Sequence, residues 1–229
     1  MRDPYIYENG VLKNKLEINN YQDLKEAEAD IGFVKLLNVE SVKHEKCDIN
    51  LVKAIHKHIF EDIFDWAGEF RTIPIQKIEL IIPGASLEYA EPEEINDRLE
   101  IVINEMNSYE WKNKSIDEIT KSFTNYLARL WRVHPFRDGN TRTTLAFANI
   151  FSKEHGFELD MTTMLDQLYR LQEKSTGKVI RWSVRDKFVL AALDEKDKPE
   201  PKALQQVIKQ AINKAKKKNA KSRDEEEGR

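Results

Sequence analysis

The chain is poor in the residues that cross-link or interrupt a fold. It has one cysteine, Cys47, in 229 residues. No internal disulfide can form, so nothing requires an oxidising compartment. No motif surrounds Cys47, which reads as a buried, inert thiol. Glycine and proline number only 8 and 7, which leaves long segments uninterrupted. No stretch approaches the roughly 18 apolar residues of a membrane span. Residues Met1 to Gly10 hold no apolar run long enough for a signal peptide. A cytoplasmic protein with no membrane partner is therefore expected. Neither sign of charge dominates. The 37 basic residues nearly balance 40 acidic ones, for a formal charge of -3, and direct nucleic-acid binding is not expected.

An apolar share of 40% suffices for a substantial core, and the length suits one large domain or a domain with an appendage. Helical spacing dominates. Tyr21, Leu24, Ala27, Ile31, Val34 and Leu37 form one predicted stripe, and Leu51, Ile55, Ile59 and Ile63 a second. Ile95, Leu99, Val102, Ile103 and Met106 form a third, with Pro92 suited to a first turn. Ile116, Ile119, Phe123, Leu127 and Leu130 form a fourth. Further helices are predicted from Asn140 to about His155, stopped by Gly156, and over 162–173 and 181–194. Residues 71–90 depart from this pattern. Arg71 to Ile75 and Ile78 to Ile82, followed by Pro83-Gly84, predict a short hairpin or an extended flap. After a charged linker around Asp194 to Pro201, Leu204, Val207, Ile208, Ala211 and Ile212 carry one more helical stripe. The basic and acidic residues beyond 214 read as a solvated tail. Trp66, Trp111, Trp131 and Trp182 read as packing residues. His56 and His58, two apart, point to different helix sides and read as core or surface residues rather than a metal pair.

One loop concentrates chemistry. His134-Pro135-Phe136-Arg137-Asp138-Gly139-Asn140-Thr141-Arg142 lies between two predicted helices. Gly139 frees the backbone, and Asn140 can cap the second helix. The helix start and Arg142 suit an anion. Asp138 is a hard oxygen ligand for magnesium, which usually arrives with phosphates. His134 can accept a proton near neutral pH. Together they suit phosphoryl or nucleotidyl transfer. The same residues also suit a plain turn, in which Asn140 caps, Asp138 is solvated and His134 packs.

The nine residues resemble the motif of the Fic family: His-Pro-Phe, any residue, Asp or Glu, Gly-Asn, a variable residue that is commonly Gly, then Arg. Eight positions fit this common form, Thr141 being the exception. Ala54 to Phe60, then Asp65-Trp66-Ala67-Gly68-Glu69 and Arg71, are similar to the helix and Trp-Ala-Gly turn that precede the flap in that family. Tyr7 with Val11 to Leu16 is similar to the N-terminal stretch of short Fic toxins. The resemblance spans about residues 5–195. It implies an all-α, mainly helical Fic-type bundle with a short β-hairpin flap, as a domain over 1–195 followed by a C-terminal helix and charged tail over 196–229.

The same resemblance implies a protein adenylyltransferase that moves AMP from ATP to a hydroxyl of a target protein. His134 would be the base and Asp138 the Mg2+ ligand. Gly139, Asn140 and Arg142 would hold the phosphates, and Phe136 would anchor the loop. Ile73, Ile75 and Gln76 of the flap would align the target by strand pairing. A growth-blocking toxin is implied, with type II topoisomerase subunits as possible targets. Two other readings stand beside it: a kinase of the same fold, and an idle interaction module. Thr141 adds no charge where lysine-bearing relatives transfer phosphate. Leu145 stands where many relatives carry a second arginine for the γ-phosphate, so the nucleotide and its pose stay open. Such relatives are commonly restrained by a helix bearing Ser or Thr, three residues, Glu, then Gly or Asn. Ser41 to Glu45 and Ser222 to Glu226 have the spacing, but Lys46 and Glu227 follow them. A small separate antitoxin is the expected restraint, with the tail as the alternative.

Overall fold

Most helices begin where a short polar side chain captures their first amides. Asn20 accepts from Gln22 and Asp23, and Asp48 from Leu51. Ser115 with Glu118, and Ser183 with Asp186, form reciprocal pairs at two further starts. The computed structural model describes residues 3–77, 79, 81–82, 87–169, 174–175, 178–179 and 183–227. In order, its helices are α1 (Tyr21–Leu37), α2 (Ile49–Phe60), α3 (Ile95–Ser108), α4 (Ile116–Val133), α5 (Asn140–Glu154), α6 (Met161–Tyr169), α7 (Val184–Ala191) and α8 (Lys202–Glu227). Pro92 opens a 3-10 turn at 92–94 that leads into α3. Two short strands, β1 (Lys174–Ser175) and β2 (Lys178–Val179), pair antiparallel. The mainly helical class expected from the spacing is present.

The expected hairpin over 71–90 is not formed among the described residues. Residues 74–77 belong to no helix and no ladder, and Ile73 lies in a bend. Glu79 sinks its carboxylate into a bidentate pair with Arg185 of α7, at 2.7 and 2.6 Å, which commits this part of the segment to a helix rather than to a second strand. Ile78, Leu80, Pro83 and Gly84 lie outside the described residues, as do Trp182 and the ends of the predicted helices at 170–173 and 181–182. No helix among the described residues is long and apolar enough to cross a membrane.

The chain divides into two units. The first comprises Met1–Ile75, Tyr89–Asn104 and Val133–Phe147. Here α1 packs on α2, and Ile55, Ile59, Phe60, Ile63 and Phe64 are wholly buried. The face that α1 buries only partly follows its predicted apolar stripe, of which Leu24 is buried and Ala27 and Ile31 are half-buried. Tyr21, Val34 and Leu37 are exposed, whereas Leu24, Glu28, Gly32 and Leu36 turn inward. A buried ion pair of Glu28, described below, sets that rotation.

The second unit comprises Gln76–Glu88, Glu105–Arg132 and Ala148–Arg229. Trp111 meets Phe123, Phe151 and Phe157, and Trp131 stacks on Phe188, so both tryptophans pack as expected. Helices α6, α7 and α8 contact one another. Helix α8 buries Leu204, Val207, Ile208, Ala211, Ile212 and Ala215. Each large aliphatic group there contributes about 1.5–3 kcal/mol, so α8 is a docked element. The chain beyond 214, expected as a solvated tail, continues this helix to Glu227.

A polar clasp fixes the same helix. Asp160 accepts from the Thr163 amide at 2.9 Å and hydroxyl at 2.7 Å, and from the Thr162 hydroxyl. It also pairs with Lys214 at 3.0 Å and with Lys218. Burial opposes ionisation of Asp160, but its bonds to Lys218, Thr162, Thr163 and Lys214 prevail and hold the carboxyl well below the usual carboxylate range. Asp160→Ala should therefore cost on the order of 2–3 kcal/mol in urea denaturation. A carboxyl depressed in the folded state stabilises fully above its unfolded value near 4 and loses that contribution as the pH falls below it. The deficit of the variant should therefore shrink in acid.

Candidate functional site

The loop between α4 and α5 is held by its carbonyls. His134 adopts φ 53°, a left-handed conformation that a residue with a Cβ avoids. Its carbonyl accepts from Arg71 Nε at 2.9 Å, and the next carbonyl, that of Pro135, accepts from the Arg71 amide at 2.9 Å. Asn140 takes both backbone groups of Phe136: its side-chain oxygen accepts from the Phe136 amide at 2.9 Å, and its Nδ2 donates to the Phe136 carbonyl at 2.8 Å. His56 on α2 holds the Asp138 carbonyl at 3.1 Å through Nε2. The Gly68 amide donates to Nδ1 of that ring at 2.9 Å, which places the proton on Nε2. Below the loop, Phe136 is wholly buried and stacks on His56 with centroids 3.7 Å apart.

Gly139 is required twice. Its φ is 79°, and a Cβ there would come within 2.3 Å of the buried Phe60 ring. Its amide donates to Asp138 Oδ1 at 2.6 Å. The Arg142 guanidinium lies over Phe60, 4.4 Å from the ring centroid. It donates to the Glu28 carboxylate at 2.6 Å and to the Glu28 carbonyl at 3.1 Å. Gly32, one turn along α1, lets the guanidinium approach; a Cβ there would stand 3.2 Å from Nη1. The His134 ring is buried and stacks on Tyr89 at 4.0 Å.

Residues 46–152, which contain this whole loop, match the Fic/DOC family. That segment, just under half of the chain, is a Fic domain. The chain is 29% identical over 163 residues to the probable protein adenylyltransferase y4lH of Sinorhizobium fredii, covering 70% of this chain and 80% of that protein. It is 26% identical over 161 residues to the protein adenylyltransferase VbhT of Bartonella schoenbuchensis, covering 69% of this chain but 32% of VbhT, so it matches only about a third of that relative's length. In fold it is similar to the N-terminal Fic domain of a Bartonella quintana Bep effector with bound ADP. The TM-score is 0.69 and the identity 21%, over 90% of this chain and 93% of that one. BepC of Bartonella tribocorum with bound AMPPNP gives a TM-score of 0.68 at 18% identity, over 90% and 95%.

The residues singled out in the Fic motif fall into two sets. His134, Asp138, Gly139 and Arg142 come together at the start of α5, whose positive end suits an anion. Asn140 is the first residue of α5 rather than a cap outside it. Its side chain turns back to Phe136 because one amide matches both a backbone donor and a backbone acceptor. Leu145 is wholly buried, a core residue in this chain. In the expected flap, Ile73 and Ile75 are half-buried and Gln76 is exposed, the alternation of a strand without a ladder. Among the described residues no three acidic, histidine or cysteine side chains cluster as a metal cage. A single carboxylate at the loop nevertheless fits magnesium, which commonly takes one or two protein carboxylates and draws its other ligands from phosphates and water.

Sequence reasoning did not assign functions to Glu28, Gly32, His56, Arg71 or Tyr89. A glycine in mid-helix at Gly32 was the one available signal that a bulky group approaches α1.

Two predictions follow from this packing. Gly139→Ala should destabilise the protein on the order of 3 kcal/mol through backbone strain and overlap with Phe60, read as a lowered melting temperature. For His56, burial pushes the pKa down to about 3; its bond to the Asp138 carbonyl opposes this, and the Arg142 charge adds to it. Between about pH 6.5 and 3 the unfolded chain binds a proton there that the folded chain does not, so stability falls as the pH falls, by about 1.4 kcal/mol per unit. Denaturation of His56→Gln across this range should show a shallower acid slope.

Proposed function

We propose that this protein is an adenylyltransferase that moves AMP from ATP to a hydroxyl on a protein. The observation that carries the reading is the strained loop that brings a histidine, a carboxylate and the start of a fifteen-residue helix into one place. His134 takes the proton of the attacking hydroxyl. The hydroxyl oxygen bonds the α-phosphorus, the bond from that phosphorus to the bridging oxygen breaks, and pyrophosphate leaves. Asp138 would hold Mg2+, which when bound neutralises charge on the phosphates. Gly139 and the amides that open α5 receive phosphate oxygens, and Asn140 keeps those amides in place through Phe136. Arg142 arrives already paired with Glu28, so an incoming polyphosphate shares that guanidinium with a carboxylate or displaces it. Ile73, Ile75 and Gln76 present an edge to a target segment.

The neighbouring structures with ADP and AMPPNP support a nucleotide substrate. The likeness to named adenylyltransferases supports transfer of AMP. Resemblance to short Fic toxins alone supports a growth-blocking role with topoisomerase subunits as targets. A small separate antitoxin remains the proposed restraint. The apolar face of α8 is engaged on α6 and α7, so deleting the tail would open the core of its own unit.

The test is transfer from ATP labelled on the α-phosphate or on the γ-phosphate. Label from the α position only, lost on chelation with EDTA and reduced about 10²–10⁴-fold by His134→Ala, is the expected result. Label from the γ position would make the protein a kinase. Absence of both, across a range of target proteins, would make it an interaction module.

A further inference from the structure

Arg71 is 2% exposed, and none of the groups its guanidinium bonds is a carboxylate. Nε donates to the His134 carbonyl at 2.9 Å, Nη1 to the Ile73 carbonyl at 2.8 Å, and Nη2 to the Ala90 carbonyl. Desolvation makes such a cation costly, and burial lowers its pKa, but an arginine of this kind stays charged. A purely structural tie between loops would not need a charge. What the three carbonyls have in common is the proposed base. One belongs to His134 itself. The second belongs to Ile73, which opens the segment proposed to dock the target. The third follows Tyr89, whose ring covers the His134 imidazole at 4.0 Å. The planar fork of a guanidinium can meet carbonyls in three directions at once, which an ammonium cannot do with the same geometry.

We propose that Arg71 is a positioning residue for the transfer reaction. It holds His134 in its left-handed backbone conformation and sets the docking segment and the Tyr89 ring in register with that imidazole. This inference rests on the reaction proposed above. The phosphate-facing part of the loop is held separately, by Asn140 on Phe136 and by His56 on Asp138. Loss of Arg71 therefore misplaces the base while sparing the nucleotide site.

The test compares the full chain with Arg71→Met and Arg71→Lys, using magnesium and ATP as the probe. Methionine replaces the stem and removes a desolvated charge but leaves three carbonyls without their donor; lysine keeps the charge but not the fork, and reads the same split should the methionine variant fail to fold. Both variants should bind ATP within about threefold of wild type, while transfer at saturating ATP falls about 10²-fold, the scale expected for a reacting group misplaced by about an ångström. In spectra of the histidine-labelled protein, the His134 ring signals, assigned with His134→Ala, should move as Tyr89 stacking is lost, and those of His56 should stay. Transfer at the wild-type rate by a folded variant overturns the proposal. So does ATP binding that falls in parallel with transfer, which marks a merely structural residue. If the wild-type protein transfers no AMP, the proposed reaction fails on its own account. The spectra still decide the role of Arg71, because unmoved His134 signals would overturn it.

Discussion

A histidine in a left-handed backbone conformation is the constraint around which the first unit is organised. Such a conformation costs about 1–3 kcal/mol and persists only where its surroundings over-determine it. Here the surroundings do so by capturing carbonyls. Arg71 takes those of His134 and Pro135, Asn140 that of Phe136, and His56 that of Asp138. Each captor is itself buried and fixed, His56 by stacking and by the Gly68 amide. Of the loop's amides, those of Phe136 and Gly139 are held within the loop, by Asn140 and Asp138.

The same logic explains the choice of face on α1. Of the predicted apolar stripe, Leu24 is buried and Ala27 and Ile31 are half-buried, but Tyr21, Val34 and Leu37 are exposed. One buried ion pair competes with the rest of that stripe. Arg142 sits on Phe60 at the head of α5, and its charge requires a partner. Glu28 supplies it from α1 with both carboxylate and carbonyl, and Gly32 makes the room. Leaving this largely buried guanidinium unpaired would cost about 3–5 kcal/mol, comparable to exposing two aliphatic side chains at about 1.5–3 kcal/mol each. A hydrophobic count along one helix cannot see a charge that arrives from more than a hundred residues away.

Legibility in the sequence follows the range of the interaction responsible. The helices could be read closely because their periodicity is local; the caps that open them, Asn20, Asp48, Ser115 and Ser183, are local too. The nine-residue loop could be read because its residues are contiguous. Long-range polar pairs could not. Glu79 pairs with Arg185 of α7, and Asp160 with Lys214 and Lys218 ties α8 past the end of its apolar stripe, into the stretch predicted as a solvated tail. His56 read as a core residue and is one, but its hold on the loop across eighty-two residues has no signature along the chain.

The motif itself separates into chemistry and scaffold once its contacts are known. Phe136, Gly139 and Asn140 are as fixed in type as His134 and Asp138, yet each answers to packing. The Phe136 ring fills the space beside His56, Gly139 clears the Phe60 ring, and the Asn140 amide matches two backbone groups of a single residue. Arg142 stands between the two sets, paired with Glu28 and also placed at the helix start. Matching nine consecutive types is therefore stronger evidence for a conformation than for a reaction. The conformation is what several distant residues, Arg71, His56 and Glu28 among them, are arranged to hold, and it limits which groups can meet a nucleotide there.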